Sequence, residues 1–171
     1  LRGRNIPYQI VGGVRFYERA EVKDILAYLR VLVNPRDELS LLRIVNTPPR
    51  GIGKTTLDRL REYAATQQIG VLEAIAHVDE IGSLGSAAKR NLGKFHALLQ
   101  SIDPSGPVSE VVQDVLDKTG YLKVLRERGR VEDDARLENL AELVTATTDY
   151  QTRSNDPTAG GYLESVTLAS D

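Results

Sequence analysis

The chain has 171 residues, 41% hydrophobic and 27% charged, with 22 Lys/Arg against 24 Asp/Glu for a formal net charge of −2. That length suits one compact domain, or one domain with an attached piece, and the composition is that of a soluble fold. Cysteine is absent, which excludes disulfides, thiolate metal sites and cysteine nucleophiles, and His77 and His96 are too few and too far apart for zinc. No apolar run approaches a membrane span and no secretory leader is recognisable, so a cytoplasmic setting without membrane contact is expected. A start at Leu1 and the lack of Met predict a piece of a longer polypeptide. The charge is uneven. Residues 1–61 hold 12 Lys/Arg against 6 Asp/Glu, and residues 62–171 hold 10 against 18. A basic front on an acidic body predicts an anionic partner for the front.

Residues 7–11, Pro-Tyr-Gln-Ile-Val, read as a short strand closed by Gly12-Gly13. A lone strand needs a sheet for its backbone groups, and nothing downstream resembles one. From Glu18 to Val33 the period is helical, with Val22, Ile25, Leu26, Leu29, Leu32 and Val33 on the apolar side. Asn34-Pro35 ends that helix, because the residue before proline is pushed out of the α region. A second helix is predicted from Asp37, as N-cap, to Asn46. Thr47-Pro48-Pro49-Arg50-Gly51-Ile52-Gly53 reads as a tight turn, followed by a helix over about residues 54–67. Shorter and longer helices follow near 71–77 and 86–102, with Ser83 or Ser86 as the N-cap of the latter. Pro107 suits a first helical position, Val108, Val111, Val112, Val115 and Leu116 make a stripe, and Gly120 suits the position just past the helix. Helices near 121–128 and 132–152, a loop over 153–161 and one more short helix complete the chain.

Gly53-Lys54-Thr55 invites a phosphate-binding-loop reading. The loop requires another glycine five positions before Gly53, where Pro48 stands, and a strand rather than a helix before it. A helix-hairpin-helix reading fits better. Gly51 and Gly53 let backbone approach another surface, Ile52 plugs the space between the helices, and the following helix start offers unpaired amides. Arg50 and Lys54 add charge, and Thr55 or Thr56 would cap the helix or donate to a phosphate. Such contacts position a duplex without reading its bases. The alternative is an ordinary corner with glycines for close packing. A weaker echo, Gly82-Ser83-Leu84-Gly85 followed by Lys89 and Arg90, is a second candidate contact.

Three blocks carry a family resemblance. Ile6–Asp24, with Gly12-Gly13, Phe16-Tyr17, Arg19, Glu21-Val22 and Lys23-Asp24, closely resembles a signature of the UvrD/PcrA/Rep-type superfamily 1A DNA helicases. Arg43–Gly53 is similar to that family's second block, and Arg136-Leu137-Glu138-Asn139-Leu140-Ala141-Glu142-Leu143 to its third. The resemblance implies that residues 1–33 belong to the RecA-like motor domain 2A, 34–168 to the inserted helical 2B subdomain, and 169–171 to the return toward 2A. The expected fold is therefore mainly α, a multi-helix orthogonal bundle with a Gly-Ile-Gly hairpin, preceded by a strand-plus-helix piece of an α/β domain.

The same resemblance implies a duplex grip at the hairpin and makes Arg15 a candidate single-strand contact. Arg136, Glu138 and Asn139 are candidates either for DNA contact or for a polar network bracing helices. ATP and Mg²⁺ would serve the parent enzyme, with no cofactor in this chain, whose expected partner is a single-strand/duplex DNA junction. A protein-interaction or autoinhibitory role through the acidic body, including self-association, is the rival expectation.

Overall fold

The computed structural model describes residues 14–170, which are helical in every regular element; no strand occurs among them. The strand expected over residues 7–11 lies outside the described residues. Arg15 lies in α1 (Val14–Glu18), which breaks at Arg19 before α2 (Ala20–Val33). Then come α3 (Glu38–Ile44), α4 (Lys54–Gln67), α5 (Val71–Ile75), a 3-10 turn (Val78–Glu80) and α6 (Ser86–Gln100). The remainder is α7 (Val108–Lys118), α8 (Tyr121–Arg128), α9 (Val131–Arg153) and α10 (Ala159–Ser170).

α2 is the hub. Its apolar spacing predicts one buried face, but Ala27, Tyr28 and Val31 are buried as well as Val22, Ile25, Leu26 and Leu29. The reason is that α1, α3, α7, α9 and α10 all pack around it. Val33, expected on the apolar face, is 44% exposed where the helix runs out at Asn34. The division expected between residues 33 and 34 falls between α2 and α3, which share one core. α4, α5 and α6 pack in succession as a second group, joined to the hub where α5 meets α3.

Local chemistry sets the helix ends. The Asp37 side chain accepts from the Ser40 amide at 3.1 Å, so α3 starts where its cap was expected. α7 buries its whole valine–leucine stripe and stops at Gly120, whose φ of +77° is the left-handed conformation that glycine adopts without a Cβ penalty. The loop expected over 153–161 is shorter than composition suggests. Gly160 and Gly161 belong to the first turn of α10 because the chain passes close there. A Cβ at Gly161 would stand 2.6 Å from both the Asp156 carbonyl and the Tyr150 hydroxyl. The far ends of the described chain meet, since the hydroxyls of Tyr17 on α1 and Tyr162 on α10 lie 2.7 Å apart.

Candidate nucleic-acid interface

The turn between α3 and α4 places its two glycines in solvent and its isoleucine in the core. Gly51 and Gly53 are exposed, whereas Ile52 is 2% exposed. Gly51 reverses the chain with φ +72°. Gly53, extended at φ −82° and ψ 175°, is the N-cap of α4 and supplies no side-chain bond. The first helical bond of α4 runs from the Leu57 amide to the Gly53 carbonyl at 3.0 Å. The amides of Lys54, Thr55 and Thr56 therefore precede the ladder, beside the positive end of the helix dipole. Thr55 is exposed and Thr56 half-buried. Neither caps the helix as expected, because both lie inside its first turn. Lys54 is 88% exposed and, among the described residues, pairs with Asp58 at 2.9 Å. An exposed pair one helical turn apart is worth about 0.3–0.5 kcal/mol, so Lys54 is free to exchange partners.

Arg50 is turned inward, against expectation. One terminal nitrogen donates to the carbonyls of Ile44 (2.7 Å) and Val45 (3.1 Å), and the other donates to the Tyr28 hydroxyl. The guanidinium also lies 4.9 Å from the Phe95 ring centre and 5.8 Å from that of Tyr28. The cause is the end of α3, whose last carbonyls lack helical partners and attract the nearest cation.

The second turn repeats the pattern. Gly85 is the N-cap of α6, extended at φ −76° and ψ 170°, and again no side chain caps the helix. Ser83 and Ser86 are thus not caps; Gly85 stands between them and its own backbone opens the helix. Each turn is tied to the other's helix. Arg59 of α4 donates to the Ser83 carbonyl at 2.8 Å, and Asn91 of α6 donates to the Gly51 carbonyl at 3.4 Å. Arg90 is exposed, while half-buried Lys89 donates to the Asp79 carbonyl at 3.4 Å.

A family model described as the UvrD-like helicase C-terminal domain matches residues 1–169. The chain belongs to this family. It is 38% identical over 167 residues to the ATP-dependent DNA helicase PcrA of Bacillus subtilis (strain 168), a match covering 96% of this chain and 22% of that protein. The PcrA helicase of Staphylococcus epidermidis (strain ATCC 12228 / FDA PCI 1200) is 37% identical over 172 residues, covering 98% of this chain and 24% of the relative. That of Staphylococcus aureus (strain NCTC 8325 / PS 47) is 34% identical, covering 98% and 23%. The chain thus spans roughly a quarter of the length of these curated relatives.

Within this UvrD-like domain the third sequence block forms a brace. Asn139 of α9 donates to the carboxylate of Glu21, which is 5% exposed, and accepts from Arg19 at 2.6 Å. Arg136 donates to Asp133 at 2.7 Å, and Arg128 reaches the same carboxylate with two bonds of 3.1 and 2.7 Å. Asp133 is 1% exposed, and the bonds from Arg128 and then Arg136 hold its carboxyl below the usual carboxylate range. The same partner, Asp133, raises the Arg136 guanidinium above its ordinary value. Glu138 is exposed and takes no part in the brace, and Arg15 is exposed on α1.

Behind the corner lies a cleft of about 320 Å³ bounded by Glu21, Asp24, Pro48, Tyr121, Arg128 and Arg136. Its charged groups are each held by a neighbouring side chain: Glu21 by Asn139, and Arg128 and Arg136 by Asp133. Asp24 accepts from Arg43 (2.9 Å) and from the Tyr121 hydroxyl (2.7 Å), and burial with that carboxylate beside it pushes the Tyr121 hydroxyl far up.

Sequence reasoning missed Asn46, Tyr28, Asn91 and Arg59 as parts of the corner, and Asp133 as the centre of the brace. Only Asn46 had a signal, since it stands inside the second family block. No group of three or more His, Asp or Glu side chains that would hold a metal occurs among the described residues. No helix among them is long and apolar enough to cross a membrane. Gly53-Lys54-Thr55 does not form a phosphate-binding loop. It opens a helix that follows a helix and a proline turn, with Pro48 where the phosphate loop needs glycine.

Proposed function

We propose that this chain is the duplex-gripping, regulatory helical subdomain (2B) of an ATP-dependent 3′→5′ DNA helicase acting in DNA repair or replication. The observation that carries it is the exposed, uncapped start of α4. Two solvent-facing glycines flank a buried isoleucine there, so three amides and the helix dipole meet solvent with no side chain in the way. Gly51, Gly53, Lys54, Thr55 and Thr56 form the contact with sugar–phosphate oxygens, and Ile52 anchors it. The start of α6, with Lys89 and Arg90, forms a second contact on the same duplex. Backbone amides and a lysine directed at phosphate oxygens carry no base information, so the grip is independent of sequence.

ATP hydrolysis with Mg²⁺ and movement along single strands belong to the parent enzyme and its motor domains. Residues before α1 belong to the motor domain in this reading. We place α2 with the helical subdomain, because its packing partners are α3, α7, α9 and α10. Arg15, exposed on α1, is positioned at the motor side and contacts the single strand. Regulation follows from swivelling of the helical body against the motor.

The test is binding of mixed-sequence duplex DNA across a salt series. Replacing Lys54 by Ala lowers the slope of log affinity against log salt by about 0.9, the value for one phosphate contact on B-DNA, and weakens all sequences alike. An unchanged slope would remove Lys54 from the interface, and absence of any duplex binding by the unaltered chain would remove the grip altogether. The acidic balance after residue 61 and the 84% exposed Leu39 favour a protein-docking role as the second reading. Self-association or partner capture without DNA binding is its signature.

A further inference from the structure

Two polar side chains beside the corner hold its backbone and fasten it to the neighbouring helices. Asn46, half-buried at the end of the α3 segment, accepts from the Arg50 amide at 3.3 Å and from the Ile52 amide at 3.1 Å, and donates to the Ile52 carbonyl. A single amide group therefore clasps the turn on both sides of Gly51. Arg50 fastens the same turn to the rest of the molecule. One arm of its fork donates to two carbonyls of the α3 end and the other to the Tyr28 hydroxyl, and the guanidinium lies near the rings of Tyr28 on α2 and Phe95 on α6. Tyr28 in turn donates to the Thr47 carbonyl at 2.5 Å. Every one of these bonds ends on the loop or on a neighbouring helix.

We infer that Asn46 and Arg50 are positioning residues of the duplex grip: they hold the Gly51–Gly53 turn in its binding shape before DNA arrives, and neither touches a phosphate. The inference rests on the gripping reading above. Its chemistry is that of preorganisation. A turn with a glycine on each side of Ile52 loses much conformational freedom when fixed, and that loss falls on binding unless the fold has already imposed the shape. A lysine at position 50 keeps the charge but lacks the planar fork that reaches the carbonyls with one arm and the Tyr28 hydroxyl with the other, beside two rings. Charge and geometry are thereby separable by experiment.

The full chain is compared with N46A, R50K and R50Q by anisotropy on a fluorescent mixed-sequence duplex at several salt concentrations. Amide hydrogen exchange is followed in the free proteins. If each substitution leaves the bound shape about one-tenth populated, apparent Kd rises about tenfold. The expected result is that weakening in all three variants, R50K included, with the wild-type salt slope. In N46A the Arg50 and Ile52 amides exchange faster, while those of Tyr28 and Phe95 keep their protection.

If R50K binds like wild type while R50Q loses affinity and about 0.9 of the slope, Arg50 is a phosphate contact and the inference is overturned. Wild-type affinity in all three variants overturns it equally. Should R50Q fail to fold by circular dichroism, R50K and N46A decide. Failure of the unaltered chain to bind duplex would instead strike the gripping reading itself, and this inference would fall with it.

Discussion

Replacing Ile52 by Ala separates the anchor of the corner from its outward chemistry. Ile52 is 2% exposed, so its side chain counts as fully removed from water. Truncation deletes three carbons, a transfer loss of about 2.4 kcal/mol at roughly 0.8 kcal/mol per buried methylene. The void left beneath two exposed glycines closes only in part, which places the total near 3 kcal/mol, inside the range of about 2–5 for such truncations. For a domain of this size, 1 kcal/mol moves the Tm by about 2–4 °C, so thermal unfolding by circular dichroism should show a fall of about 6–12 °C. The exposed neighbour Lys54 provides the contrast. Its replacement by Ala should stay within about 0.5 kcal/mol of wild type, as surface substitutions do. Duplex affinity of the Ile52 variant, measured well below both transitions, should fall as well, because the turn loses its anchor. A Tm lowered by less than about 3 °C would mean that Ile52 does not pin the turn, and the account of the corner would be wrong.

The two glycines should respond differently to Ala. Gly51→Ala forces a left-handed φ on an L-residue and brings a Cβ to 3.2 Å from Asn91 Nδ2, so it should destabilise by about 1–2 kcal/mol in chemical denaturation. Gly53→Ala meets nothing within 4 Å and should leave stability nearly unchanged while weakening duplex binding, since the added methyl stands at the amide-lined surface. Gly161→Ala should cost about 1–3 kcal/mol by overpacking against Asp156 and Tyr150, read from the denaturation midpoint. The Asp133 carboxyl is depressed in the folded chain by Arg128 and Arg136. Its stabilisation is therefore complete above the unfolded value of about 3.9 and fades as pH falls through the lower folded value. In Tm–pH curves, Asp133→Asn should be less stable than wild type at neutral pH and lose less below about pH 4; parallel curves would refute the role of the brace.

Helix existence was legible in the sequence wherever apolar spacing was regular. α4, α7 and α8 lie where their patterns put them, and the ends at Asp37 and Gly120 follow from one residue each. What escaped depended on partners remote in sequence. Arg50 reads as a surface cation beside a glycine turn, and only the fold brings Tyr28 and Phe95 against it. Asp133 reads as one more acidic residue at a helix start, and is buried because Arg128 and Arg136 converge on it. Gly160-Gly161 has the composition of a loop, yet the close passage of Asp156 makes glycine necessary at position 161 inside a helix. That no helix would run through Thr47–Gly53 was legible from its prolines and glycines. The direction of its charged neighbours was not.

The fastening of the Gly51 turn has a mechanical side. Through Asn46, Arg50 and Asn91 the turn is bolted to the end of α3, to α2 and to α6. A pull applied there loads the central helix directly and meets no slack segment along the way. Tilting whatever lies against the turn then requires rotating the whole helical body, which makes it a stiff handle on which torque acts.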